Sequence, residues 1–247
     1  MLSHAFSAEL LKLRHSKILL PCISLPLLGL LIGAGNFYMN RAALHMPEWQ
    51  AFWTQVALFY GYFFYPILLA VCAAYLWRME HRDHNWNPLM TAPIPVWVIF
   101  LTKLVVLILI GLLVQCFLMF LYWCAGTFFF HFSSPFPIFL AIQWLLCGWL
   151  SAICVSAMQL FLSMWIRSFA IPIGISLGCC IAGLAFYALG VGKFFPNSLL
   201  ILGVGATNAT GISLDTILSI VLVGGLYTGL FIVLAIGYLK KKDISAE

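Results

Sequence analysis

Arg78-Met79-Glu80-His81-Arg82-Asp83-His84-Asn85-Trp86-Asn87-Pro88-Leu89-Met90-Thr91-Ala92-Pro93-Ile94-Pro95 is a polar island between two long apolar runs. Four of the chain's nineteen formally charged residues fall within its first six positions. The runs on either side are each long enough to cross a bilayer, which takes about 20 apolar residues as a helix. The island is therefore read as the loop between two membrane helices, and as the place where a soluble partner grips the protein.

Working outward, 64% of the 247 residues are hydrophobic and 8% are charged, far from the roughly one quarter charged of soluble domains. The expected fold is all-α and polytopic, with spans at 18–39, 54–77, 98–125, 136–165, 169–190 and 214–239. Nearly all the length goes into spans and short connections, so a single transmembrane domain, 1–247, is expected. The third and fourth spans exceed bilayer thickness and are expected to tilt or project. Lys103, near the start of the third, is expected to snorkel to the surface.

Residues 3–16 place Phe6, Leu10 and Leu13 at helical spacing, with Glu9, Lys12 and His15 on another side. This pattern predicts an amphipathic interfacial helix, with Lys12, Arg14 and Lys17 facing anionic lipid. Glu9 and the length of the following run argue against a cleaved signal peptide. With the N-terminus in the cytoplasm, ten basic residues lie inside (Lys12, Arg14, Lys17, Arg78, Arg82, Lys103, Arg167, Lys240, Lys241, Lys242) and two outside (Arg41, Lys193). The positive-inside bias then puts both termini and the island in the cytoplasm.

Pro21 and Pro26 in the first span, Pro66 in the second and Pro172 in the fifth predict breaks or kinks. Gly29/Gly33, Gly174/Gly178 and Gly225/Gly229 have the spacing for close helix approach, within the chain or between chains. Residues 191–213 lie outside in this topology yet are apolar and interrupted by glycine and Pro196. They are expected to form a short helix or re-entrant element whose free backbone groups are covered by protein. Asn208-Ala209-Thr210 matches the glycosylation acceptor pattern, which also arises by chance.

Several function classes are disfavoured. No acidic or basic residue lies near a span centre and all six histidines fall at ends or in loops, whereas ion-coupled carriers keep ionisable groups at depth. The eight cysteines lie in apolar stretches without metal-ligand spacing and read as packing residues. His81 and His84 could share a helical face, but a solvated loop is the expected reading, so no metal site and no cofactor are assigned. There is no phosphate-binding loop, and the chain is not expected to be an enzyme or to bind nucleic acid; the energy for any active transport must come from another polypeptide.

Within the island, Glu80 and Asp83 sit near the start of a short helix, where acids favour the macrodipole. Trp86, Leu89 and Met90 recur at three- and four-residue spacing on one side, before Pro93 and Pro95 stop the helix. An aromatic anchor with acidic neighbours suits insertion into a groove on a soluble protein. Gln55 and Gln143, near the outer ends of the second and fourth spans, are candidate substrate-pathway contacts. For these and for Gln115 and Gln159, hydrogen bonding between helices is the competing role.

Six spans, an amphipathic N-terminal helix, a loop with a glutamate followed by Trp-Asn-Pro-Leu and Pro-Ile-Pro, and Phe-Phe-Pro-Asn-Ser-Leu-Leu before the last span resemble the type-2 ABC exporter permeases. Among these, the chain looks most like the membrane subunits of lantibiotic immunity and bacitracin-type resistance transporters of the bacterial cytoplasmic membrane. The resemblance implies that 80–90 is a coupling helix docking on a cytoplasmic ABC ATPase, which would hold ATP and Mg, with Glu80 and Trp86 as matched positions. It implies a second permease chain, identical or homologous, and an amphipathic antimicrobial peptide as substrate. Export of a lipid or drug, and a non-transporting scaffold or sensor, are the alternatives.

Overall fold

The computed structural model describes residues 2–14, 16–81, 94–208 and 210–241. The chain begins with α1 (Leu2–Arg14), followed by α2 (Leu19–Asn40), α3 (Glu48–Phe59), a π-helical turn (Tyr60–Phe64) and α4 (Tyr65–His81). Then come α5 (Val96–Cys124) with a π turn at Ala125–Phe129, α6 (Ile138–Trp165), α7 (Ala170–Ala188), a 3-10 turn (Gly192–Phe194), α8 (Pro196–Gly203) and α9 (Leu214–Lys241). Among the described residues, six helical stretches are long and apolar enough to cross a membrane: α2, α3 through α4, α5 with its π turn, α6, α7 and α9.

The second stretch, Glu48–His81, starts six residues before the expected 54. Pro47 precedes the helix and Glu48 lies in its first turn, where a carboxylate complements the positive helix end. This stretch is also the most enclosed: 67% of its apolar window is buried in the protein, against 11% for α9. The second and third stretches each run 34 residues, about 50 Å at 1.5 Å per residue, well beyond the ~30 Å hydrocarbon layer.

The prolines act according to their place in the helix. Pro21 and Pro172 fall in the first turns of α2 and α7, where no N–H is needed, so neither breaks its span. α2 also continues through Pro26. Pro66 lies just past the π turn, in which Tyr65 N–H donates to the Tyr60 carbonyl, a wider loop that takes up the missing bond.

Gly33 is where α2 meets α3: a Cβ there would lie 2.5 Å from the Val56 Cα. The Gly29/Gly33 pair therefore serves packing within the chain. Gly174, Gly178, Gly225 and Gly229 have no such neighbour within 4 Å among the described residues.

The 191–213 segment forms the short helix expected of it, and its interior is almost entirely buried. Its polar groups, backbone and side chain, find protein partners. The Trp53 indole donates to the Val204 carbonyl at 2.9 Å, and Ser198 Oγ donates to the Gly183 carbonyl at 2.6 Å. Gln143 holds Ile212 from both sides, its Nε2 donating to the Ile212 carbonyl at 2.9 Å and its Oε1 accepting the Ile212 N–H at 3.2 Å. Gly205 follows with φ +70°, and its α-carbon faces the Trp144 ring so closely that a Cβ would sit 2.4 Å from Cδ1. Left-handed backbone and lack of space both require glycine there.

Candidate functional site

Four charged side chains meet where α1, α4 and α5 converge. Glu9 and Lys12 come from α1, one helical turn apart; Glu80 is the penultimate residue of α4; Lys103 lies two turns inside α5. Lys12 Nζ is 2.9 Å from Glu9 Oε1 and 2.6 Å from Glu80 Oε1. Lys103 Nζ is 2.8 Å from Glu9 Oε2 and 2.9 Å from Glu80 Oε1. Two ammoniums and two carboxylates thus close a neutral ring. Its burial is graded, with side-chain exposure of 1% for Lys103, 5% for Glu80, 10% for Glu9 and 34% for Lys12.

Lys103 does not snorkel as expected. Its third donor reaches the Leu76 carbonyl at 2.9 Å and its Nζ lies 5.1 Å from the centre of the Trp77 ring. An ammonium has three protons, and two carboxylates and a carbonyl take all of them, so water is not required. Lys12 likewise turns to the carboxylates rather than outward to lipid. Burial works against its charge, but the bonds to Glu80 and Glu9 outweigh that and hold it above the ordinary lysine value of about 10.5. The face of α1 turned inward carries Glu9, with Phe6 and Leu13 packed partly against the core. Leu10 is 46% exposed instead of joining them, while Lys17 stays exposed as expected.

The ring joins three helices through charge because each alternative is worse. An unpaired ammonium buried in an apolar bundle shifts toward neutrality or destabilises the fold, and a lone buried carboxylate does the same. Paired and hydrogen-bonded, the four become a specific fastener: removing one partner of such a set costs about 3–5 kcal/mol. Mechanically, the ring anchors the end of α4, the helix leading into residues 82–93, to both α1 and α5.

Of the residues singled out for coupling, Glu80 is in this ring; Asp83, Trp86, Leu89 and Met90 lie outside the described residues. Gln55 accepts a hydrogen bond from Asn36 Nδ2 at 2.5 Å and donates to Thr54 Oγ1, joining α2 to α3. Gln143 clamps Ile212, as above. The interhelix bonds expected of Gln115 and Gln159 are not formed: both are fully buried and neither amide has a hydrogen-bond partner among the described residues. The sequence reading missed Glu9, Lys12 and Lys103 as members of one site. The available signal was Lys103 itself, a lysine two turns inside an apolar helix, which calls for a counter-ion.

The family model described as ABC-2 family transporter protein matches residues 5–183, a stretch that includes all four members of the ring. The chain belongs to the ABC-2 transporter family. No curated protein and no solved structure matches it. As an ABC-2 permease it is the membrane-transport subunit of an ABC transporter, and the family implies an ABC ATPase as its partner. In this ABC-2 chain, the ring lies just before residues 82–93, the segment expected from the sequence to meet that partner.

Proposed function

We propose that this permease expels an amphipathic antimicrobial peptide from the bacterial cytoplasmic membrane, conferring immunity to it, with ATP hydrolysed by a separate cytoplasmic subunit. Residues 82–93 begin two positions after Glu80, and the ring ties Glu80 to α1 and α5; this juxtaposition carries the reading. A push on the loop by the ATPase travels through the end of α4 and is delivered to two other helices at once. Trp86, Leu89, Met90 and Asp83 supply the docking surface in this scheme, and Glu80 transmits. The distribution of basic residues supports placing the ring end in the cytoplasm, with α1 along the inner surface and 191–213 dipping into the outer leaflet. The open glycine pairs on α7 and α9 are where a second permease chain approaches.

The test separates docking from transmission. Tagged permease is purified in mild detergent from its own host and its co-purifying proteins are identified. Trp86→Ala is expected to lose the ATPase. Glu80→Gln is expected to retain it while uncoupling its ATP hydrolysis from the permease. A host lacking the permease should become sensitive to a lantibiotic-like peptide; unchanged sensitivity across a broad panel overturns the peptide and leaves lipid or drug export. If no ATPase co-purifies under conditions that keep the spans folded, the scaffold reading replaces transport.

A further inference from the structure

A second polar site lies between the end of α4, the end of α6 and the start of α7. It is a pocket of about 260 Å³ lined by Arg78, His81, Ser163, Arg167, Ser168 and Phe169. We propose that it binds the phosphate headgroup of an anionic phospholipid.

Two independent observations point to an anion. The first is the lining charge. Arg78 lies with its guanidinium 5.1 Å from the centre of the Phe169 ring, and among the described residues no carboxylate pairs with it. The ring face holds the cation over it, and the planar fork of donors on a guanidinium is matched to phosphate oxygens. Arg167 adds a second cation to the wall. The second observation is Ser163, which is 3% exposed and lines the pocket, yet its Oγ has no hydrogen-bond partner among the described residues. A buried hydroxyl of this kind is rare in proteins unless something absent from the chain satisfies it.

The remaining groups are arranged around the Ser163 hydroxyl. His81 Nε2 lies 3.2 Å from the Ser163 carbonyl, leaving the hydroxyl as the group that addresses the pocket. Ser168 Oγ accepts the Ile171 N–H, so the first turn of the 19-residue α7 opens on the same space, its positive end favouring negative charge.

A phosphate in solution and a phosphate on a lipid share this chemistry. The surroundings favour the lipid. Trp165 and Ile171, which flank the pocket in sequence, are 56% and 54% exposed on helices of membrane-spanning length. A headgroup seated among the arginines keeps its acyl chains along that apolar surface, the arrangement by which basic pockets between membrane helices hold anionic lipids.

The test is native mass spectrometry and thermal unfolding of the purified full-length chain with phosphatidylglycerol, phosphatidylcholine or inorganic phosphate. Phosphatidylglycerol is expected to be retained and to raise the unfolding temperature, phosphatidylcholine not. Arg78→Gln is expected to weaken retention at least tenfold and Ser163→Ala several-fold. Lys240→Gln combined with Lys241→Gln, which removes two charges elsewhere, is expected to leave it unchanged. Equal retention of phosphatidylcholine, or full retention in both Arg78→Gln and Ser163→Ala, overturns the site. Should Arg78→Gln fail to fold, the Ser163→Ala result decides alone. Stabilisation by inorganic phosphate without any by phosphatidylglycerol overturns the lipid in favour of a soluble phosphate.

Discussion

Replacing Lys103 with methionine keeps most of the length of the side chain and removes its charge. In the structure the ammonium is 1% exposed and satisfied by Glu9, Glu80 and the Leu76 carbonyl. Its loss leaves two enclosed carboxylates facing Lys12 alone, and breaking a buried ionic set in this way costs about 3–5 kcal/mol. A second change, Glu9→Gln, removes the surplus negative charge and leaves Lys12 with Glu80, the pair at 2.6 Å. The double variant is therefore expected to be less destabilised than the sum of the singles, with a coupling energy of roughly 2–3 kcal/mol. Equilibrium unfolding by dodecyl sulfate in mixed micelles, followed by circular dichroism, measures all four corners of the cycle. Additive costs, within about 0.5 kcal/mol, would refute the ring as a coupled unit. A Lys103→Met cost below about 1 kcal/mol would place the pair among ordinary surface bridges.

Other outcomes are expected with the same unfolding assay. Gly33→Ala forces a Cβ to within 2.5 Å of the Val56 backbone and should cost about 1–3 kcal/mol, whereas Gly35→Ala, with nothing within 4 Å among the described residues, should be neutral or stabilise by up to about 1 kcal/mol through helix propensity. Trp53→Phe leaves the buried Val204 carbonyl without its donor and should cost about 1–3 kcal/mol; Gln143→Leu should loosen Ile212, read as faster amide exchange in the 211–213 loop. Because the Lys12 value is raised on folding, its contribution is complete below about pH 10.5 and is lost as pH rises through the higher folded value. The stability gap between the natural chain and Lys12→Met should therefore stay constant at neutral pH and narrow only in strong alkali.

The spans were legible because length and hydrophobicity are properties of single helices, and each of the six declares itself alone. The short helix in 191–213 was legible for a related reason: leucines and phenylalanines between glycines are inconsistent with a solvated loop. Relations between helices were not. Gly29/Gly33, Gly174/Gly178 and Gly225/Gly229 look alike in the sequence, yet only the first meets a neighbouring backbone, and nothing local distinguishes it. Gln143 similarly reads as a candidate substrate-pathway contact until Ile212, 69 residues later, is found across from it. The ring shows the limit most clearly. Glu9 and Glu80 are separated from Lys103 by 94 and 23 residues, and each reads on its own as a surface charge; closure depends on α1 folding back over α5.

The order of the ring's members along the chain bears on how the protein enters its membrane. Glu9, Lys12 and Glu80 all leave the ribosome before Lys103. When the helix carrying Lys103 is offered for insertion, a penalty of about 2.5–3.5 kcal/mol for a lysine at the centre of a membrane helix is lessened by its position nearer the end. Both carboxylates that neutralise it are already waiting at the same level. Moving α1 to the C-terminus by circular permutation, through a linker long enough to return it to α5, would deliver Glu9 last and would show whether assembly depends on that order.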